Sequence, residues 1–87
     1  MHESSVMKKL LEAIEGVVRE CRAERAIRVN VYVGDLCGFS DAHLKAHFEW
    51  AAEGTVAEGA ELCIEHSENP FALMQSVVLK DIEVEYS

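Results

Sequence analysis

Apolar residues recur at three- and four-residue spacing from position 7 to position 21. Met7, Leu10, Leu11, Ile14, Val17, Val18 and Cys21 form one stripe, and Lys8, Glu12, Glu15, Arg19 and Glu20 cover the other side. This spacing predicts an amphipathic helix of about five turns, with Ser4 or Ser5 placed to cap its start. Gly16 interrupts the helix at a cost of about 1 kcal/mol relative to alanine, and its missing side chain is expected to let a sheet approach closely. From 26 to 33 the period changes to two. Ile27, Val29, Val31 and Val33 alternate with Arg28, Asn30 and Tyr32, the pattern of a half-buried strand. Gly34 and Gly38 bracket a turn that holds Asp35, Leu36 and Cys37.

Ser40 or Asp41 can cap a second helix, whose apolar face is Leu44, Phe48, Ala51 and Ala52 and whose stop is Gly54. A second strand follows over 60–65. Leu62 and Ile64 face inward, because the opposite register would bury Glu61 and Glu65. Ser67, Glu68, Asn69 and Pro70 break the pattern, and 71–75 fits either a strand start or a helical turn. A third strand spans about 77–86, with Val78, Lys80, Ile82, Val84 and Tyr86 on one side; Ile82, Val84 and Tyr86 are expected to be buried and the intervening acids solvated. The element order is α-β-α-β-β. The expected fold is α+β, with two helices packed on one face of a small three-stranded mixed sheet. The last two strands are expected to pair antiparallel across their short connection.

The chain has 87 residues, which suits one domain over 1–87. A domain this small buries only about 60% of the surface its unfolded chain exposes, so a partner or a metal can add to its stability. The formal net charge is −8, from 16 acidic and 8 basic residues. That balance opposes a phosphate backbone or anionic lipid, so neither nucleic acid nor membrane is an expected partner. Acidity either keeps the domain soluble or attracts cations. No apolar run approaches the roughly 18–20 residues of a membrane span. Glu3, Lys8, Lys9 and Glu12 interrupt any signal-peptide core, and the expected location is cytoplasmic. Homo-oligomerisation is left open.

There are three cysteines, Cys21, Cys37 and Cys63, and no CxxC pair, so a zinc ribbon or a thioredoxin-like site is not encoded. Cys21 and Cys63 occupy positions that read as core, and Cys37 falls in a loop, where it is the most accessible. His43 and His47 stand four apart on the second helix, on one face, as a pair of metal ligands would. Glu49 and Glu53 are near, but no third ligand is fixed by spacing. Leu44 stands where a zinc-protease helix carries glutamate, and the ordinary alternative is two partly exposed helix residues. His66 is expected at the surface. Trp50 borders the apolar stripe of the second helix and reads as half-buried core, with an exposed anchor for a partner as the alternative. No serine or cysteine has a recognisable base–acid pair, and no glycine-rich phosphate loop is present. An enzyme is therefore not expected; a metal-dependent one on His43 and His47 would lack a third ligand and a general base.

Several stretches taken together resemble the hydrogenase nickel-incorporation family (HypA/HybF). They are Met1-His2-Glu3 followed by Ser5; Val31-Tyr32-Val33-Gly34-Asp35-Leu36; Phe48-Glu49; Glu53-Gly54-Thr55-Val56-Ala57-Glu58-Gly59-Ala60-Glu61-Leu62; and Leu79-Lys80-Asp81-Ile82-Glu83-Val84-Glu85. Family members carry a zinc module with two CxxC pairs between the last two strands, and here a short connection at about 67–76 fills that place, so no zinc site is expected. The resemblance implies a nickel metallochaperone that binds Ni(II) at its N-terminus. The implied ligands are the Met1 amine, the backbone nitrogens of His2 and Glu3, and the His2 imidazole. The chemistry is sound: the α-amine has a pKa near 7.7–8.0, imidazole suits Ni(II), and Ni(II) favours tetragonal nitrogen sites. Glu3 could also orient His2 through its carboxylate. The implied partners are a nickel-handling maturation GTPase and the hydrogenase large-subunit precursor, with urease maturation a variant of the same role. The competing expectation is a metal-independent interaction or regulatory module that lost the zinc domain.

Overall fold

The first apolar stripe closes into helix α1, Glu3–Glu20, and the period-two segment into strand β1, Arg25–Gly34. Helix α2 spans Asp41–Ala52, strand β2 Glu61–Ser67 and strand β3 Val77–Glu85. The structure, a computed structural model, describes residues 3–34, 40–67 and 77–86. The expected order and the α+β class hold. The sheet is mixed, with strand order β2-β1-β3.

β1 runs through the middle, parallel to β2 and antiparallel to β3. The expected pairing of β2 with β3 is therefore corrected: both pair with β1 and lie on opposite edges. The physical reason is burial. β1 is the longest strand and carries the fully buried Val29, Val31 and Val33, and a central place flanks all three with a strand on either side. A parallel β1–β2 pair needs a long crossover, which α2 supplies.

Two bulges explain where the alternation departs from the expected one. The β1–β3 register skips Ile27 between Ala26 and Arg28, and skips Lys80 between Leu79 and Asp81. A bulge puts two residues opposite one and shifts the side-chain phase. Ala26 is accordingly buried and Ile27 exposed, and Val78 is exposed while Leu79 is half-buried. Ile82 and Val84 pack partly against the core, but Tyr86, expected to be buried, lies beyond the end of β3 and is exposed.

The core lies between the helices and one sheet face. Ile14, Val29, Val31, Val33, Leu44 and Phe48 are almost completely buried, and no polar side chain is buried among the described residues. α1 ends in a tight reversal: the Ala23 N–H donates to Val18 O at 3.0 Å and the Arg22 N–H to Arg19 O at 3.1 Å. This is a Schellman motif, with Arg22 at φ 56° in the left-handed position that glycine usually fills. Cys21 falls in this reversal and is exposed, so the buried stripe stops at Val18 and the core expectation for Cys21 is corrected. Gly16 has nothing within 4 Å of where a Cβ would stand; no sheet approaches it.

The segment Glu53–Gly59 that carries much of the family likeness is a double turn. Gly54 and Gly59 have φ of 79° and 78°. Between them the Thr55 hydroxyl donates to Ala52 O at 2.7 Å and accepts from the Ala57 N–H at 3.1 Å. Val56 O then accepts from the Ala26 N–H at 2.8 Å, tying the turn to the start of β1. The motif is thus architectural: it directs the chain from α2 into β2.

Backbone conformation fixes the sign of three substitutions. Gly16→Ala and Arg22→Gly should each stabilise by up to about 1 kcal/mol, whereas Gly54→Ala should destabilise by about 1–2 kcal/mol because alanine is strained at positive φ. Urea denaturation midpoints check all three, and a stabilised Gly54→Ala would contradict the turn geometry.

Candidate metal centre

α1 opens at Glu3, and Met1 and His2 lie outside the described residues. The four first N–H groups of a helix lack intrahelical acceptors. The Glu3 backbone nitrogen is therefore not engaged by the helix ladder, and coordinating it would break no helical hydrogen bond.

The second candidate pair is fully described. Ser40 caps α2 with extended backbone (φ −74°, ψ 157°), and its hydroxyl accepts from the His43 N–H at 3.1 Å. This cap fixes the first turn, from which His43 projects. His43 is exposed and His47 half-buried, and their ring centres are 4.8 Å apart with planes tilted by 36°. Among the described residues, no group of three or more His, Cys, Asp or Glu side chains is placed to hold a metal ion.

Trp50 follows His47 by one turn. It is 74% exposed, which corrects the expectation of half-buried core. The apolar stripe of α2 is narrow, and Leu44, Phe48 and Ala52 occupy it. Trp50 instead borders a cleft of about 370 Å³ between the helices, lined by Met7, Lys8, Leu11, His47, Trp50 and Ala51. Met7 lies one helical turn, about 6 Å, beyond Glu3. The C-terminal half of α2, from His47 to Ala51, therefore faces the first turns of α1.

His66 is exposed, as expected, with its Nε2 2.8 Å from Asp41 Oδ1. This contact links the end of β2 to the first turn of α2, where an acidic residue also complements the helix dipole. Cys63 is half-buried, and Cys37 lies outside the described residues, as does 68–76 of the expected short connection. The outer sheet face carries a lattice of charge that pattern reading missed. Arg28 reaches Glu61 at 3.3 Å and Glu83 at 3.4 Å, and Lys80 reaches Glu65 at 3.1 Å. Glu83 first, then Glu61, raise the Arg28 pKa, and Glu65 raises that of Lys80. Such exposed pairs contribute little to stability. They do commit several carboxylates to cationic partners on this face. The signal lay in the register, which sequence spacing could not supply: Arg28 is opposite both Glu61 and Glu83 only after the bulge at Ile27.

Comparison with known proteins places this architecture. A family model described as hydrogenase/urease nickel incorporation, metallochaperone, hypA matches residues 1–73. The hydrogenase maturation factor HypA of Chlorobium limicola is 42% identical over 65 residues, covering 75% of this chain and 56% of that protein. The HypA of Aquifex aeolicus is 43% identical over 65 residues, with the same coverage of 75% and 56%. The chain thus spans little more than half the length of these relatives. Its fold is similar to the solution structure of the Ni metallochaperone HypA from Helicobacter pylori, with a TM-score of 0.79 at 19% identity over 100% of both chains. A second HypA solution structure gives 0.73 at 21% identity, covering 97% of this chain and 96% of that one.

Trp50 allows a direct check of the exposed helix face, because it is the single tryptophan. Native emission should lie close to that of the urea-denatured chain and be readily quenched by acrylamide. A strongly blue-shifted, shielded emission would place the indole in the core and contradict the geometry.

Proposed function

The chain belongs to the HypA family of hydrogenase/urease nickel-incorporation metallochaperones, and from that premise we propose that it binds one Ni(II) at its N-terminus and delivers it during [NiFe]-hydrogenase maturation. The carrying observation is Met1-His2-Glu3 at the head of the family match, with α1 opening at Glu3. The Met1 amine, the His2 and Glu3 backbone nitrogens and the His2 imidazole supply four nitrogens from adjacent residues, a set suited to tetragonal Ni(II).

The helix start supports this ligand set electrostatically. A cation is disfavoured at the positive end of a helix. Two backbone amides that lose their protons on coordination cancel the charge of Ni(II), so a neutral complex meets the helix. A site at a chain end needs no buried cage, and its metal can leave without unfolding the core. That is the property a delivery protein requires. The role is non-enzymatic: the chain presents the ion and a partner accepts it. A nickel-handling GTPase and the hydrogenase large-subunit precursor are the proposed partners, with urease maturation as the related alternative recipient. The connection at 67–76 is proposed to stand in place of the family's zinc module.

The test is a calorimetric nickel titration of protein with an authentic free Met1, beside His2→Ala and an N-terminally acetylated form. High-affinity binding of one ion should be lost or weakened at least about 100-fold in both, since each removes a ligand of a four-nitrogen set. Unchanged high-affinity binding in His2→Ala would overturn the assignment.

A further inference from the structure

We propose that His43 and His47 form a second, surface site for a borderline divalent transition-metal ion, Ni(II) in particular, distinct from the N-terminal nitrogens. Three observations converge on it. The residues stand four apart on a helix whose start is fixed by the Ser40 cap, so the pair is held by the backbone. With metal–nitrogen bonds of about 2.0–2.1 Å, two imidazoles on one ion bring their ring centres to roughly 4.5–5 Å. The observed separation is 4.8 Å, within that span. The pair is also reachable, with His43 exposed and His47 half-buried.

Imidazole selects nickel, copper and zinc over magnesium and calcium, which prefer oxygen. Two protein ligands leave the remaining coordination positions to water or to an incoming donor, so exchange is built in. Nearby charge shapes the site. Lys8 lines the cleft beside His47 and tempers affinity, and the neighbouring Asp41 is engaged by His66. The net charge of −8 draws cations to the surface as a whole.

Position gives the pair a use. His47 shares its cleft with Met7 and Lys8, one to two turns into the helix that begins at Glu3. A metal held there would lie on the same edge as the first turns of α1, as a neighbouring station for an ion entering or leaving. The site itself stands independently of the N-terminal reading, because its ligands come wholly from α2.

Trp50, one turn beyond His47 on the same edge of α2 and largely exposed, is a built-in reporter of a nearby quenching ion. The experiment uses the full chain carrying His2→Ala and an acetylated N-terminus, so that the terminal nitrogens are removed. Ni(II) titration should quench Trp50 emission saturably with one ion per chain, and Mg(II) should not. Adding His43→Ala, His47→Ala or both should weaken the apparent affinity at least about ten-fold. Ni(II) should also raise the melting temperature of the parent and leave the double variant unmoved, because the pair exists only in the folded helix. Circular dichroism of the metal-free double variant verifies that α2 still forms. No saturable quenching in the parent, or equal quenching and equal thermal shift in the double variant, would overturn the proposal. Neither result bears on nickel at Met1 and His2, which this background does not contain.

Discussion

The pairing of β1 with both other strands is the constraint on which this structure depends. Val29, Val31 and Val33 can be buried together only if β1 is central and its inner face is roofed by helices. A one-residue slip would turn all three toward water. The parallel partner β2 then requires a crossover, and the crossover must be α2. With α2 packed on β2, α1 packed on β1 and β3, and Leu10, Ile14, Leu44 and Phe48 in one common core, the two helices meet along one edge. The cleft along that edge is lined by Met7, Lys8 and Leu11 of α1 and by His47, Trp50 and Ala51 of α2.

The two sheet faces divide the work. The inner face holds the apolar core. The outer face carries alternating charge, with Arg28 and Lys80 interleaved among Glu61, Glu65 and Glu83. These exposed pairs contribute little to stability. A domain of this size has a thin stability margin, so any ion that binds only the folded chain adds to that margin by mass action. The proposed metal ligands on α2 belong to a helix surface and not to the apolar core.

Much of the fold was legible. The stripe as far as Val18, the switch to period two, the Ser40 cap and the Gly54 stop each follow from local chemistry; the expected Ser4 or Ser5 cap does not hold, because α1 already opens at Glu3. What was not legible was long-range. Nothing local says that β3 joins β1 and not β2, or that bulges at Ile27 and Lys80 shift the phase of their strands. Cys21 continued the stripe on paper, but the helix had already turned back at Arg22, a left-handed residue with no glycine to announce it. Trp50 showed a second limit: an aromatic beside an apolar stripe is drawn into the core only if the stripe is wide enough, and Leu44, Phe48 and Ala52 had filled it. The family likeness was legible for a different reason. Glu53–Gly59 needs glycine at two positive-φ positions and a hydroxyl at Thr55, so a turn left a readable signature. The proposed nickel chemistry rests instead on the identities of Met1, His2 and Glu3.

The central claim, that backbone amides and the terminal amine hold the nickel, is tested most directly by counting protons. Calorimetry of nickel binding near pH 7 in buffers of different ionisation enthalpy gives the number released per ion. Two amides and a partly protonated amine should together release more than two protons per Ni(II). Release of one proton or fewer would mean that the amides stay protonated, and would leave the N-terminus as a simple imidazole contact instead of a four-nitrogen site.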